Sequence, residues 1–542
     1  MKKVILAIVS LILCIHISNA QNWIDLKQNG ANYNDVKRAF LNQYGSKISQ
    51  FRKEAPAEAK IGKNRKDDDF EQQMEGIIHF MRWSNEVEPR VATFNGDINA
   101  MHAANAEALF KQNNTAQTRA ASSWSLLGPT NTPTNGGNGR VSGVRALPGS
   151  TTTLFACTPA GGIFKTTNGG TSWSPITDAI AVLGATDLAI DPTNTNIMYL
   201  ATGDGDAGDA RSTGIYKSID GGVTWAATGL TFTTSQSKLL SRILIDTTSK
   251  KLIAGGNSGI YTSIDAGATW VQTSTLAIRD LDFKPGTTTT IYAGGYGANI
   301  FLRSTDAGAT WQNTGTGLPT SGTQRVAVGV TSLDPTYVYC LIANSTDYGF
   351  KGLYLSTDGG STFTLKSSTP NILGWNSNGG DAGGQGWYDL SIAVDPANKN
   401  TIYTGGVNCW KSTTSGATWT IAAHWSGSGA PYIHADNHDL IFIGNTLFAA
   451  NDGGVFCTSN GGTTWSDKSA NLTNAQIYSI GLSATNANVI ISGHQDNGTN
   501  LTNNLSTWTE VNGGDGFVCF IDRSTDTRQF SSIYYGALYR ST

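Results

Sequence analysis

Charge and glutamate are scarce in this sequence. Asp, Glu, Lys and Arg make up only 14% of its 542 residues, against about 25% in an ordinary globular domain. The formal net charge is -3, so the composition indicates no basic surface for nucleic acid or an anionic membrane. Beyond residue 20 no apolar run is long enough to span a bilayer. We therefore expect no nucleic-acid partner and no membrane insertion.

Cysteine is rare as well. Of six cysteines one lies in the N-terminal apolar run, and the others are Cys157, Cys340, Cys409, Cys457 and Cys519. Each of these five lies in a strand-like run, and none has the C-x-x-C spacing of a zinc site. We expect them to be small buried hydrophobic residues, although secretion would permit one disulfide.

The first 123 residues differ in character from the rest. Residues 1–20 have a basic start, an apolar run and the small residues Ser18-Asn19-Ala20, which predicts a signal peptide and an extracellular or cell-surface location. Residues 21–123 are predicted to be a helical region with a linker, because apolar residues have helical spacing over 34–51 and 70–84. Residues 103–123 suit a further helix or linker.

One pattern recurs throughout residues 124–542. It is clear at Lys165 to Trp173 and at Lys217 to Trp225, and seven copies end on an aromatic residue at intervals of 41 to 56 residues. Self-similarity at this period is typical of propeller blades, each a small sheet that needs its neighbours. We predict an all-β fold of four-stranded blades, with strands A to D and with A innermost.

The turn between strands C and D is interpreted as structural. An Asp in this turn accepts hydrogen bonds from nearby backbone N–H groups, and a Gly two residues later supplies a conformation that Cβ obstructs. The following Trp is expected to bury its ring beside the next blade. Several copies have Asn or Thr in place of Asp, an exchange that a turn tolerates and a catalytic carboxylate does not.

The S-x-D-x-G-x-T-W pattern resembles the Asp-box (BNR) repeat of sialidases, sortilin-type receptors and xyloglucanases with tandem seven-bladed propellers. The helical N-terminus followed by such repeats also resembles large secreted proteins of Bacteroidota. Trp508 is interpreted as the end of a degenerate eighth copy, and Arg540-Ser541-Thr542 as the start of a ninth. The resemblance implies a seven-bladed propeller followed by a second that begins near the C-terminus and is truncated, because eight repeats and part of a ninth exceed one ring. The alternative is one incomplete ring of up to ten blades.

Propeller geometry directs the search for a site to one face. The repeated turns and the A–B turns share one face, so the D–A and B–C loops share the other, where irregular polar segments accumulate. After Glu107 the only glutamate is Glu510, which disfavours a sialidase, whose family uses a Glu-activated Tyr and an Arg-Ile-Pro motif absent here. A glycosidase would need a pair of Asp residues. The candidates are Asp436 and Asp515, followed by Asp381 and Asp496.

Other residues of these loops are candidates for contact with a ligand. Flat aromatic rings suit pyranose rings, although blade packing is the favoured interpretation, since propellers need many buried aromatics. The substrate-binding candidates are Arg140, Trp375, Trp387, Tyr388, His434, His438 and Gln495, and further aromatics nearby are Trp425 and Tyr432.

No cofactor and no metal site is firmly indicated. Asp204, Asp206 and Asp209 could supply oxygens to calcium, although a Gly-Asp turn is the simpler interpretation. His434 and His438 with Asp436, His424 and His494 could form a histidine–carboxylate cluster, but their spacing matches no specific metal motif.

Two functions remain open. The first is a secreted propeller that binds extracellular polysaccharide, with endo-glycosidase activity from an Asp pair. The second is a non-catalytic, sortilin-like propeller that recognises a protein or peptide. Two carboxyl groups about 5–10 Å apart in an open groove would favour the enzyme, and scattered or buried carboxylates would favour binding.

Overall fold

The computed structural model describes residues 23–28, 30–54, 68–101, 125–134, 136–180, 184–246, 248–297 and 301–541. The predicted signal peptide, the predicted helix or linker at 103–123 and residue 124 lie outside these ranges. The chain forms two compact units. One comprises residues 1–65, 74–116 and 233–237, and the other comprises residues 66–73, 117–232 and 238–542.

The helical part of the chain contains α1 (Trp23–Gln28), α2 (Tyr33–Glu54) and α3 (Asp68–Val91), and a 3₁₀ turn at Ala92–Phe94. Helices α2 and α3 cover the two segments whose spacing predicts helices. The rings of Phe40 and Phe80 stack at 3.7 Å, and Trp23 meets both of them edge-on. None of the described helices has the length and apolar run needed to cross a bilayer.

The remainder is β-structure, in which each sheet is antiparallel and its strands follow one another in chain order. Among the described residues there are nine sheets, of which the fourth and ninth have three strands and the others four. The first four sheets are β1 (Gly143–Ala146), β2 (Leu154–Thr158), β3 (Gly162–Thr166) and β4 (Ser174–Pro175); β5 (Ala185–Ile190), β6 (Met198–Thr202), β7 (Gly214–Ser218) and β8 (Ala226–Thr231); β9 (Leu240–Ile245), β10 (Leu252–Gly256), β11 (Gly259–Ser263) and β12 (Val271–Ser274); and β13 (Ile278–Phe283), β14 (Ile291–Gly295) and β15 (Phe301–Ser304).

The other five sheets follow the same order. They are β16 (Thr323–Val330), β17 (Val338–Asn344), β18 (Phe350–Ser356) and β19 (Thr364–Ser367); β20 (Ser391–Val394), β21 (Ile402–Gly405), β22 (Cys409–Ser412) and β23 (Thr420–Ala423); β24 (Asp439–Ile443), β25 (Thr446–Asn451), β26 (Gly454–Thr458) and β27 (Ser466–Asp467); β28 (Ile477–Leu482), β29 (Ile490–His494), β30 (Thr499–Thr502) and β31 (Thr509–Asn512); and β32 (Cys519–Ile521), β33 (Gln529–Ile533) and β34 (Ala537–Arg540). The prediction of an all-β fold built mainly from four-stranded sheets is confirmed.

The hydrophobic core is divided among the spaces between consecutive sheets. Tyr199 and Leu240 belong to the cluster between the second and third sheets, and Tyr403 and Phe456 to that between the sixth and seventh. A further cluster joins the seventh sheet to the first, through side chains that include Phe448 of β25 and Val144 of β1. Strand β1 accordingly contacts both β24 and β25. Each sheet therefore depends on its neighbours for burial of its faces.

The repeated turn has the hydrogen bonds that the sequence predicts. The backbone N–H of Thr224 donates to Oδ1 of Asp220 at 2.9 Å, and the Ser218 hydroxyl donates to the same oxygen at 2.7 Å. In the first sheet Asn168 takes the place of Asp and accepts from the Ser172 N–H at 3.0 Å. Gly222 follows with a φ of 92°, where a Cβ atom would lie 2.8 Å from a side-chain carbon of the neighbouring sheet. The Asp residues of these turns are therefore structural.

The tryptophan of the repeat donates an indole hydrogen bond to the preceding sheet. The prediction that its ring packs beside the following sheet is therefore wrong. Nε1 of Trp465 in the seventh sheet donates to the Ala422 carbonyl of the sixth at 3.1 Å. Nε1 of Trp173 in the first sheet donates to the Lys468 carbonyl beyond β27 at 2.7 Å, and the Trp173 ring is buried. The same contact that links consecutive sheets thus links the seventh sheet to the first.

The five cysteines of the described β-structure are unpaired thiols, and four of them are buried. They lie in the strand-like runs that the sequence indicates. Burial raises the pKa of the Cys409 thiol to about 12, so this sulfur stays protonated and packs as a small apolar group.

Candidate functional site

Loops from distant sheets meet in a buried network of polar side chains. Arg140, just before β1, pairs with Asp204, which follows β6, at 2.7 Å. The same guanidinium donates to the Tyr388 hydroxyl at 2.9 Å, and that hydroxyl donates to Asp452, which follows β25, at 2.8 Å. Burial raises the pKa of Tyr388, so its hydroxyl stays a donor. Segments that precede strand A thus lie beside B–C loops, as the predicted loop geometry requires.

His438 lies at the centre of this network, between two carboxylates. Its Nε2 is 2.8 Å from Asp452, and its Nδ1 is 3.0 Å from Asp206. Asp206 also pairs with Arg325 of β16 at 2.9 Å. Burial alone would lower the pKa of His438, but the two carboxylates outweigh it and raise the pKa to about 9. The imidazole is therefore charged at neutral pH and joins the two Asp residues.

Stability is expected to fall as the pH rises through the pKa of His438. A folded-state pKa of about 9, above the ordinary value of 6.5, contributes stability that is complete below pH 6.5 and is lost as the pH rises through about 9. Denaturant unfolding of the wild type between pH 6.5 and 9.5 should show this loss, and His438→Gln should flatten it.

His494 provides the matched control for that experiment. It is also a buried histidine, but burial lowers its pKa to about 4, so it is neutral in both the folded and the unfolded state above pH 8. His494→Gln should therefore keep the alkaline loss of the wild type. An equally steep loss in His438→Gln would show that His438 is not its source.

A cavity of about 20 Å³ lies beside His438 and Asp206. Its lining includes one side chain from, or just before, the first strand of each of the first seven sheets: Ser142, Thr186, Ser241, Arg279, Arg325, Leu390 and His438. The first strands of these sheets therefore face one common point. The volume suits a small polar species such as a single water molecule.

The predicted catalytic candidates separate into two groups. Carboxylate oxygens of Asp436, Asp452 and Asp496 all lie within 4.8 Å of one another. Asp515 is buried, and its Oδ1 accepts the backbone N–H of Asp496 at 2.7 Å. Asp381 has a different role, because its Oδ2 accepts the backbone N–H of Trp375 at 2.6 Å within a turn. Asp436 and Asp496 therefore approach each other, Asp515 positions Asp496, and Asp381 stabilises a turn.

The carboxylates of Asp436 and Asp496 come from loops of two different sheets. Asp436 precedes β24 of the seventh sheet, and Asp496 lies between β29 and β30 of the eighth. Both have left-handed backbone, with φ of 67° and 57°, a conformation that Asp tolerates better than most residues. Asp436 is only 6% exposed, whereas Asp496 is half-buried. Gln385 donates to Oδ1 of Asp436 at 3.1 Å. Access from solvent is therefore from the Asp496 side.

The predicted sugar-contacting aromatics are interior residues. Trp375, Trp387 and Tyr388 are all buried, and Trp387 packs against Tyr388 with centroids 5.4 Å apart. Their burial corrects the expectation that these three rings offer open faces to sugars. Tyr432 is exposed. The blade-packing interpretation explains the buried rings, because large apolar surfaces stabilise the contacts between loops.

The polar binding candidates divide in the same way. Arg140 and His438 belong to the buried network. Gln495 is half-buried and accepts the Tyr478 hydroxyl at 3.1 Å. His434 is half-buried, and its imidazole packs so closely over Gly453 that a Cβ atom there would lie 2.4 Å from the ring. Gln495 and His434 are therefore placed nearer the surface than the network.

The structure places the metal candidates in separate contacts. Asp204 and Asp206 pair with Arg140, Arg325 and His438, and calcium at these residues stays a prediction. His424 contacts the Trp375 carbonyl, and His494 contacts the Ser492 hydroxyl. Across the described ranges one group of three acidic side chains could hold a cation, namely Asp436, Asp452 and Asp496. It includes no histidine.

One important residue, Asp452, was not among the predicted candidates, and another, Asp206, was predicted only as a possible calcium ligand. Asp452 links Tyr388 to His438, and Asp206 links His438 to Arg325. Both lie in Gly-rich B–C loops, where Asp is an ordinary turn former, so their residue type alone is ambiguous. The signal available in the sequence was their shared position in the loop after strand B, in two different repeats.

Comparison with protein-family models finds no match for this chain. A curated xyloglucanase of Paenibacillus sp is 26% identical over an alignment of 360 residues, and the match covers 62% of this chain and 32% of that enzyme. The chain thus spans about a third of the length of this relative.

The solved structures of two GH74 enzymes are among those that resemble the fold. The GH74 xyloglucanase of Xanthomonas campestris matches with a TM-score of 0.53 and 16% identity, over 76% of this chain and 73% of that one. An ancestral GH74 enzyme matches with a TM-score of 0.57 and 16% identity, over 78% of this chain and 61% of that one. These enzymes are β-propellers, and the likeness confirms the predicted relation to xyloglucanase-type propellers at the level of fold.

Proposed function

We propose that this protein binds an extracellular polysaccharide of the β-glucan type and hydrolyses it internally, with Asp436 and Asp496 as the carboxylate pair. One observation carries this proposal: the two carboxylates come within 4.8 Å of each other although they belong to different sheets 60 residues apart in the chain. Glycosidases place two carboxyl groups about 5–10 Å apart. The oxygens of this pair lie just under that range, and solvent reaches the half-buried Asp496 while Asp436 is buried. The similarity to xyloglucanases supports xyloglucan as the first substrate to test.

The chemistry needs only these two groups and water. One carboxylic acid donates its proton to the glycosidic oxygen as the C–O bond to the anomeric carbon breaks. The other carboxylate either takes a proton from the attacking water or attacks that carbon itself and is released by water. Each cleavage adds H to the leaving oxygen and OH to the anomeric carbon. The hydrogen bond from Asp496 N–H to Asp515 holds the Asp496 loop in place.

We also infer that the first seven sheets form a closed seven-bladed propeller with Asp-box turns, and that the eighth and ninth begin a second. The contact of Phe448 with the first sheet, the Trp173 bond to Lys468 and the cavity lined by all seven sheets support this arrangement. The pair of carboxylates would then lie where the two propellers meet. Residues 1–20 support secretion, which a polysaccharide substrate requires.

The test is hydrolysis of a β-glucan panel, including xyloglucan, by the purified protein. We expect new reducing ends and a rapid fall in viscosity, since internal cleavage shortens chains before it releases small sugars. Retained binding without new reducing ends would favour the alternative of a non-catalytic recognition propeller. If the protein neither binds nor hydrolyses any glycan of the panel, the whole proposal is contradicted.

A further inference from the structure

The A–B turns, at the opposite ends of the strands from the carboxylate pair, bridge neighbouring sheets. Lys250 of the third sheet pairs with Asp191 of the second at 2.8 Å. Lys399 of the sixth sheet pairs with Asp334 of the fifth at 2.7 Å. In both bridges an Asp at the end of strand A accepts a donor from the A–B turn of the following sheet.

Hydroxyl groups also serve as donors between neighbouring A–B turns. Between the eighth and ninth sheets the polarity is reversed, because the Thr485 hydroxyl of the eighth donates to Asp526 in the A–B turn of the ninth at 2.7 Å. The Thr288 hydroxyl of the fourth sheet donates a hydrogen bond to Asp246 of the third, and this bond helps to lower the pKa of that carboxyl. These carboxylates therefore bind either an ammonium group or a hydroxyl.

The bridge is missing between the sixth and seventh sheets. Asp395 occupies the position equivalent to Asp191 and Asp334, and its Oδ1 accepts the Ala397 N–H at 2.8 Å. The A–B turn of the seventh sheet has only two residues, because Ile443 pairs directly with Thr446. The turn is Gly444-Asn445, and in the described part of the chain Asn445 makes no hydrogen bond to Asp395 although both residues line one groove. Among the described residues no basic group forms a salt bridge with Asp395.

A groove of about 180 Å³ lies where that bridge would be. Its lining includes the residues Asp395, Tyr403, Phe442, Asn445, Leu447 and Ser459. The rings of Tyr403 and Phe442 meet edge-on with centroids 5.8 Å apart, and Phe442 is half-buried. Asn445 and Ser459 are exposed at the rim. The groove thus combines an aromatic wall, a carboxylate and neutral polar groups.

We propose that this groove is a second polysaccharide site, which binds one sugar ring of the substrate away from the carboxylate pair. Ligand pockets for drug-sized molecules measure about 300–1,000 Å³, so this smaller groove suits a single ring. Asp395 accepts sugar hydroxyls in the place where its counterparts accept lysine or threonine. Phe442 offers an apolar surface, and Asn445 offers an amide. This inference rests on the proposed polysaccharide substrate.

The experiment measures binding of soluble xyloglucan to the full chain carrying Asp436→Asn and Asp496→Asn, by affinity electrophoresis. Into this background Asp395→Ala and Phe442→Ala are introduced separately. Each removes one or two contacts, so we expect the dissociation constant to rise about tenfold. The matched control is Asp334→Ala, which removes the equivalent carboxylate where Lys399 fills the position, and which should leave binding unchanged.

The outcomes separate this inference from the proposed function. If the wild type hydrolyses xyloglucan but Asp395→Ala and Phe442→Ala bind like Asp334→Ala, the second site is contradicted and the hydrolase stands. If the wild type binds without hydrolysis and both variants bind less tightly, the second site stands and the hydrolase is wrong. If Asp334→Ala weakens binding as much as Asp395→Ala, the effect belongs to the turns in general and the second site is wrong.

Discussion

Replacement of either Asp436 or Asp496 by asparagine is expected to lower kcat on xyloglucan by about 10³-fold, the range lost when an acid–base group is removed. In the double variant the two decreases in kcat should not multiply, since the pair acts as a unit and removal of one member already disables it. KM should change little, because the amide keeps the size and most of the contacts of the carboxylate. The measurement is release of reducing ends under saturating substrate.

Asparagine is chosen for a structural reason. Asp436 and Asp496 have φ of 67° and 57°, and Asn adopts left-handed backbone at least as readily as Asp. Alanine would add backbone strain to the loss of the carboxylate. Melting temperatures of both variants close to that of the wild type would therefore assign a fall in kcat to chemistry and not to unfolding.

Asp381→Asn is the matched control for these variants. Asp381 was selected from the same class of loops, but its carboxylate accepts the backbone N–H groups of Trp375 and Asn376 at 2.6 and 3.2 Å. Its substitution should weaken a turn and leave kcat within a few-fold of the wild type. Full activity of Asp436→Asn or Asp496→Asn would exclude that residue from the carboxylate pair, and a loss in Asp381→Asn comparable to theirs would contradict the assignment.

The architecture could be predicted from the sequence because its determinants are local. The repeated turn requires an oxygen acceptor at Asp220, a left-handed glycine at Gly222 and a ring at Trp225, all within six residues. Asn168 and Thr414 show that the acceptor can vary, since each accepts the N–H four residues later, as Asp220 does. A pattern that fixes local geometry at a regular interval reveals the sheets directly.

The site could be predicted only as far as the loops that form it. Propeller geometry places segments before strand A beside B–C loops, and Asp436, Asp496 and Asp515 do meet there. Which residues become hydrogen-bonding partners in these loops could not be predicted. Arg140 and Tyr388 are 248 positions apart, and no local pattern fixes such a pairing. The buried aromatics show the same limit, because a Trp that packs and a Trp that binds sugar have the same sequence signature.

The second large effect concerns the stability of the buried network. Arg140→Met is expected to lower the free energy of unfolding by about 3–5 kcal/mol, the usual cost of removing one partner of a buried ion pair. Arg140 and Asp204 have side chains only 2% and 0% exposed, so water cannot replace the lost guanidinium. Tyr388 also loses its donor. Urea unfolding at pH 7 measures the change.

An exposed ion pair of the same kind provides the comparison. Arg528 and Asp522 lie 2.6 Å apart, but their side chains are 49% and 24% exposed, so Arg528→Met should cost less than about 1 kcal/mol. The double variant Arg140→Met/Asp204→Asn tests the cause. If the penalty comes from the uncompensated charge of Asp204, neutralising that charge restores part of the stability. A double variant as unstable as the sum of both single variants would instead assign the loss to the packing of Arg140 against Tyr388.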